Sequence, residues 1–304
     1  MPLVNASLPG SQLSVFEFAR ATAEELKKDH VGMLAGNVAF RLMFAVLPLV
    51  VTLLWLLRWA DEGRLADALL DLARLAFPGQ AIAPIEQQAQ SPEGQGDGSF
   101  STGVAISLVV SLWATTMAFR SSMQALNTVY GVKEGRSEQK RLGISLVVSV
   151  ISVTFFLVAL VFIVFGTRIA DGLASTAGIG VSFQVAWAVV SWAVVIASAF
   201  LAFACTYYFA PDVDQEFRWI RFGSLAAVAM WLAFTLAFSV YVNYLSAPEE
   251  TYGALAGIAV FMLYLYGSTF IVLLGAEMNQ VLEHAHPEGK DDGQKAPAPN
   301  PEMT

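Results

Sequence analysis

The chain has 304 residues, of which 56% are hydrophobic and only 14% charged, with a mean hydropathy of +0.58 and a formal net charge of −8. These values exclude an ordinary soluble domain and, with no concentrated basic face, a nucleic-acid partner. The single cysteine, Cys205, excludes an intrachain disulfide and any multi-cysteine metal site.

Ahead of the first long apolar run, residues 1–32 form an N-terminal segment without the charged start, short apolar core and cleavage site of a removable signal peptide. Ser14 and Glu17 have capping-box spacing before Phe16, Phe18, Ala19, Ala23 and Leu26, which predicts an amphipathic helix lying on the membrane surface or under the bundle. Six runs of sufficient length follow. A spanning helix needs about 20 residues, and the candidates cover about 33–57, 102–124, 142–166, 185–210, 222–247 and 253–276. The third to fifth contain no charged residue. Such runs, apolar on all sides, predict helices rather than barrel strands, so the expected fold is an all-α, polytopic six-helix transmembrane bundle occupying residues 33–284.

Lysine and arginine fix the expected orientation. With the N-terminus inside, Arg20, Lys27, Lys28, Lys133, Arg136, Lys140, Arg141, Arg218, Arg221, Lys290 and Lys295 fall on inner segments, against Arg58, Arg64, Arg74 and Arg168 outside. Both termini are therefore predicted in the cytoplasm. The first outer segment is acidic (Asp61, Glu62, Asp67, Asp71, Glu86, Glu93, Asp97) and carries Leu65, Leu69, Leu72 and Ala76 at helical spacing, which predicts a short outer amphipathic helix. Residues 285–304 read as a disordered cytoplasmic tail.

The informative residues are polar ones inside the apolar runs. Asn37, Arg41, Ala45 and Pro48 share one stripe of the first span, and Arg41 lies about 12 Å into it, deeper than snorkelling reaches easily. A guanidinium in hydrocarbon costs at least about 2.5 kcal/mol, so it faces a partner, a hydrated cavity or a ligand. Thr116, Arg120, Gln124 and Asn127 repeat the pattern on the second span, nearer its inner end. Glu277 closes the expected sixth span and is a candidate partner for either Arg120 or Arg41. Tyr264 and Ser268 add polar atoms to that span, while Gly253, Gly257, Gly267 and Gly275 permit close helix approach. Asn243, Tyr252 and Gly253 cluster at the outer turn between the last two spans, where anchoring competes with a gate or binding role.

A search for catalytic chemistry is negative: there is no GxSxG elbow, P-loop or HExxH. His284 and His286 beside Glu283 lack the supporting groups of a metal centre, and Asp212, Asp214 and Glu216 lack the spacing of a calcium loop and read as a solvated turn. No catalytic residue, cofactor or metal ligand is predicted.

Three ordered motifs carry a family resemblance. AGNVAFRLMFAVLPLVV in the first span, the ALN-x-x-Y element of SLWATTMAFRSSMQALNTVYGVKEGR, and the YG turn followed by a helix ending in LLGAE resemble the YihY/BrkB family of bacterial inner-membrane proteins over roughly residues 15–285. The chain departs from the family pattern at Phe40 and Ala45, where tyrosine and serine are frequent. The resemblance implies a six-helix inner-membrane fold with both ends cytoplasmic, links to serum resistance and envelope maintenance, and for some members a ribonuclease label. That label fits poorly, because cutting RNA needs a soluble cleft with acid/base or metal-binding groups and a basic track.

Three classes of function follow. The preferred one is a transporter or exporter of a lipid-like, amphiphilic or anionic envelope solute through a bundle lined by Asn37, Arg41, Thr116, Arg120, Asn127 and Glu277. The second is a non-transporting envelope scaffold, and the third a membrane-embedded enzyme. Expected partners are membrane lipids and a solute of unassigned identity, with homo-oligomerisation open.

Overall fold

The structure is a computed structural model that describes residues 14–59, 66–67, 69–71, 102–177, 181–213, 217–244 and 254–285. All of its long elements are helices: α1 (Val15–Lys28), α2 (Val31–Trp59), α3 (Thr102–Val129), α4 (Glu138–Ala177), α5 (Val181–Phe209), α6 (Phe217–Tyr244) and α7 (Ala254–His284). The expected tail from residue 286 and the turn residues Tyr252 and Gly253 lie outside the described residues.

The predicted capping box is present: the Ser14 hydroxyl accepts from the Glu17 backbone N–H, and the Glu17 side chain accepts from the Ser14 N–H. At the other end of α1, Asp29 donates its N–H to the Glu25 carbonyl, and His30 adopts a left-handed conformation (φ 51°). This two-residue turn, Asp29 and His30, leads directly into α2. Helix α1 lies under the bundle, where Phe18 is buried with Val281 and Leu282 of α7 and stacks edge-on against Phe222 of α6.

Helix α2 packs on α3, α4 on α5, and α6 on α7 most extensively; further contacts of α3 with α4, α5 with α6 and α7 with α2 close a ring in chain order. The main core lies at the end of this ring that carries α1. Val31, Ala35 and Val38 of α2 meet Met123, Leu126 and Val129 of α3, Ala204 and Tyr207 of α5, Ala227 of α6, and Leu273 and Ala276 of α7. At the far end, Val189, Val190 and Trp192 of α5 and Leu236, Val240 and Tyr241 of α6 are exposed. Lipid tails are as apolar as these side chains, so such surfaces are stable in a bilayer and not in water.

Close packing of small residues holds α6 to α7. A Cβ on Gly275 would lie 2.8 Å from the Ala227 Cβ and against the Tyr207 hydroxyl, and one on Gly223 would run into the Gly275 carbonyl and the Asn279 side chain. The Gly223 N–H donates to Asn279 Oδ1 at 2.7 Å, and the Tyr207 hydroxyl donates to the Val272 carbonyl at 2.7 Å. These contacts need both helices to approach within the reach of their backbones.

Several expected boundaries change. Among the described residues, five helices contain segments long and apolar enough to cross a membrane: Val31–Leu54, Glu138–Ala159, Ala186–Phe209, Phe222–Val242 and Ile258–His284. The helix at the expected second span, α3, is present and 28 residues long, and its inner half carries Thr115, Thr116, Arg120, Ser121, Gln124 and Asn127. The expected third span grows to a 40-residue helix. Glu277 does not close the last helix, because α7 continues two turns to His284. In the first outer segment, residues 66–67 and 69–71 are helical, and Ala66, Leu69 and Leu70 are buried against Val50, Leu53 and Leu54 of α2, next to Val153 and Leu157 of α4 and Phe261 of α7. The amphipathic pattern there thus faces the bundle; Leu65, Leu72 and Ala76 lie outside the described residues.

Candidate functional site

Asn37 and Arg41 stand one turn apart on α2, and the Arg41 Nε donates to Asn37 Oδ1 at 3.2 Å. Their stripe was expected to face inward. Instead both are exposed, on the same side of α2 as Met33, Phe40 and Phe44, while Ala35, Val38 and Ala39 fill the buried side. The stripe divides along its length: Ala45 packs inward on Ala114 and Ala118 of α3, whereas Asn37 and Arg41 turn outward because Ala35, Val38 and Ala39 make the tighter helix contact at their level. Phe40 and Phe44 meet edge-on with centroids 5.0 Å apart, so the guanidinium lies in an aromatic and apolar surface. Among the described residues Arg41 has no carboxylate partner. Pro48 lies inside α2, and its carbonyl accepts from the Thr52 hydroxyl at 2.8 Å.

Arg120 is not brought to Glu277. It pairs with Glu138 at the start of α4, and Arg141 donates to the same carboxylate at 2.9 Å. The carboxylate is mostly exposed and the two arginines mostly covered, so this three-member cluster ties α3 to α4 at the rim of the α1 end. Thr116 is buried with its hydroxyl donating to the Leu112 carbonyl at 2.6 Å, a bond within its own helix that leaves no donor for a solute.

Asn127, expected to line the bundle with Arg120, belongs to a different and denser network. Its amide Nδ2 donates to Glu134 Oε2 at 3.1 Å, while its Oδ1 accepts from the Asp212 backbone N–H at 2.7 Å. Arg136, with only 6% of its side chain exposed, grips Glu134 through Nε at 2.7 Å and Nη2 at 2.9 Å. The same guanidinium donates to the Phe209 carbonyl at 3.2 Å and the Ala210 carbonyl at 2.7 Å, which the end of α5 leaves without helical partners. Asp212 completes it, lying 3.5 Å from the Arg136 Nε and accepting from the Gly135 N–H at 2.9 Å. Burial alone would raise the Glu134 carboxyl, but the hydrogen bonds and charge of Arg136, helped by Asn127, outweigh it and hold the group below its ordinary value.

Asp212 is therefore not part of a solvated turn, and Arg136 is more than a topological charge. Sequence reasoning missed both. The available signal was the Glu-Gly-Arg turn seven residues after Asn127, which places a carboxylate and a guanidinium where they can meet.

On α7, Glu277 is fully buried and neither of its oxygens has a hydrogen-bond partner. Tyr264 and Ser268 turn to α6: the Tyr264 hydroxyl lies 3.3 Å from that of Thr235 and its ring stacks on Phe234, and Ser268 accepts from the Trp231 indole N–H at 3.2 Å. They fasten the α6–α7 pair. Asn243 lies in the last turn of α6, and the rest of the expected outer cluster, Tyr252 and Gly253, lies outside the described residues. Among the described residues, no group of three or more His, Cys, Asp or Glu side chains is placed to hold a metal ion. The expected polar residues thus form separate sets: an exposed Arg41–Asn37 pair, an Arg120 cluster, an Asn127 network and a buried Glu277.

Comparison with known proteins agrees with the resemblance of the motifs. The family model described as virulence factor BrkB matches residues 22–299. A putative ribonuclease-like protein, YfkH, of Bacillus subtilis is 26% identical over 82% of this chain and 88% of its own length. The UPF0761 membrane protein ACIAD3168 of Acinetobacter baylyi is 22% identical over 92% of this chain and 65% of its own, and IL2447 of Idiomarina loihiensis 33% identical over 34% and 37%. The chain thus spans under two thirds of the length of the latter two relatives. No solved structure matches it significantly.

Proposed function

The chain belongs to the virulence factor BrkB family, and from that premise we propose that it is a six-span protein of the bacterial inner membrane that transports or exports an anionic, lipid-like envelope solute. In this reading α3 is the sixth spanning helix, and the lysine and arginine distribution sets both termini in the cytoplasm. One observation carries the choice of solute. Arg41 and Asn37 sit among Met33, Phe40 and Phe44 on an exposed apolar face, about 15 Å from the start of α2. A guanidinium there needs an acidic partner, and a phosphate or carboxylate headgroup supplies one while its acyl chain covers the aromatic surface.

This changes the route. The solute moves along the lipid-facing side of α2 rather than through a bore lined by Thr116, Arg120 and Asn127, whose polar atoms are engaged with their own helices and loops. No residue takes a covalent or hydrolytic role in this movement, and the protein acts as a carrier rather than an enzyme. With no nucleotide motif in the sequence, movement is passive, ion-coupled or assisted by a partner.

The test is transbilayer movement of a fluorescent anionic phospholipid in liposomes containing the purified protein. Movement above that of empty liposomes, lost in Arg41→Gln with folding intact, is expected. Equal movement with and without protein removes the transport reading and leaves the scaffold.

A further inference from the structure

Glu277 is 0% exposed, on the face of α7 that meets the α1–α2 turn, and no donor reaches either carboxylate oxygen. The charged side chains that act on it come from that turn and the end of α1: Asp29 and Glu25, of its own sign, and Lys28. None from α2, α3 or α6 is among them; Arg120 is committed to Glu138 and Arg41 faces away. The Asp29 carboxyl lies within hydrogen-bonding reach of Glu277, but two carboxylates offer only acceptors. A bond between them exists only when one carries a proton.

Burying an ionised carboxylate without a partner costs several kcal/mol, and a second carboxylate beside it adds repulsion. Two carboxyls in such a site relieve both costs by holding one proton between them. Lys28, whose ammonium also bonds Glu25 at 2.9 Å, offsets only part of these costs, acting on Glu277 less strongly than burial, Asp29 and Glu25 do.

We propose that Glu277 and Asp29 form a proton-binding site that holds one proton at neutral pH and clasps α7 to the α1–α2 turn. Release of the proton leaves two facing negative charges and drives the turn away from α7, which frees α1 from its seat on Val281 and Leu282. The site stands independently of what the protein carries. If transport is ion-coupled, this is where the proton binds.

Infrared spectroscopy of the full-length protein in nanodiscs reads the site directly. Wild type at neutral pH shows the carbonyl stretch of a buried protonated carboxyl, lost on alkalinisation. Glu277→Gln removes it, and so does Asp29→Asn, whose amide donates to a charged Glu277. Thermal stability gives a second readout. The folded state holds a proton that the unfolded chain gives up at neutral pH, so wild-type stability falls as pH rises through release, while Glu277→Gln, fixed in the neutral form, loses less. Absence of the band in wild type overturns the proposal, whether or not the variants fold, as does its persistence in both. A rise in stability on adding sodium, potassium or calcium at fixed pH, abolished in Glu277→Gln, assigns the site to a metal cation and likewise overturns it. Liposomes that show no lipid movement leave these spectra unaffected, so the two readings fail separately.

Discussion

The Arg136 guanidinium holds both oxygens of Glu134, two residues before it, and spends its other N–H groups on the carbonyls of Phe209 and Ala210 at the end of α5. One side chain thus locks the α3–α4 loop to the α5–α6 turn. It does so at the end of the ring where the main core lies, opposite the exposed apolar faces of α5 and α6.

Arg136→Met should therefore be costly, because it leaves Glu134 buried without its counter-charge and two carbonyls without donors. The expected loss is about 3 to 5 kcal/mol. The double substitution with Glu134→Met should recover much of it, since an apolar pair leaves no uncompensated charge. Thermal unfolding of the three variants in one detergent checks this; a double variant no more stable than Arg136→Met contradicts it.

Acid should act on the same network. The Glu134 carboxyl is held below its ordinary value, so its contribution to stability is present above the ordinary carboxylate range and disappears as pH falls through the lowered value. The melting temperature of the wild type should drop over that acidic window. Glu134→Gln should start lower at neutral pH and show a shallower drop; parallel curves would mean that other carboxylates carry the acid sensitivity.

Two glycines separate close packing from helix propensity. Gly275→Ala puts a methyl against Ala227 and Tyr207, and overpacking of this kind costs about 1 to 3 kcal/mol. Gly143→Ala, on α4 with nothing within 4 Å of the new carbon, should instead stabilise by about 0.5 to 1 kcal/mol through helix propensity. Melting temperatures of the two variants should move in opposite directions, and a fall in both would refute the distinction.

The long helices were legible because a bilayer sets a length, and a run of apolar residues that meets it has few other folds available. Their ends were less so. Helix α7 runs on past Glu277 because Asn279, Gln280, Val281, Leu282 and Glu283 are buried against α1 and α6 instead of entering water. The capping box of α1 was legible since it is local, whereas the Asn127 network was not, its members being joined across 77 and 85 positions of sequence. For Arg41 the periodicity identified which residues share a stripe. It carried no information on which way Asn37 and Arg41 point, and that depended on the small residues Ala35 and Ala39 packing inward at their level.

In the proposed function Arg41, with Asn37, binds the acidic headgroup of a lipid-like molecule on the exposed face of α2. Native mass spectrometry of the full-length protein, released from nanodiscs of mixed phosphatidylglycerol and phosphatidylcholine, tests it most directly. A phosphatidylglycerol retained on the wild type, lost from Arg41→Gln and weakened in Asn37→Ala is expected, with no preference for phosphatidylcholine in any of them. Equal retention of both lipids by wild type and Arg41→Gln would contradict it.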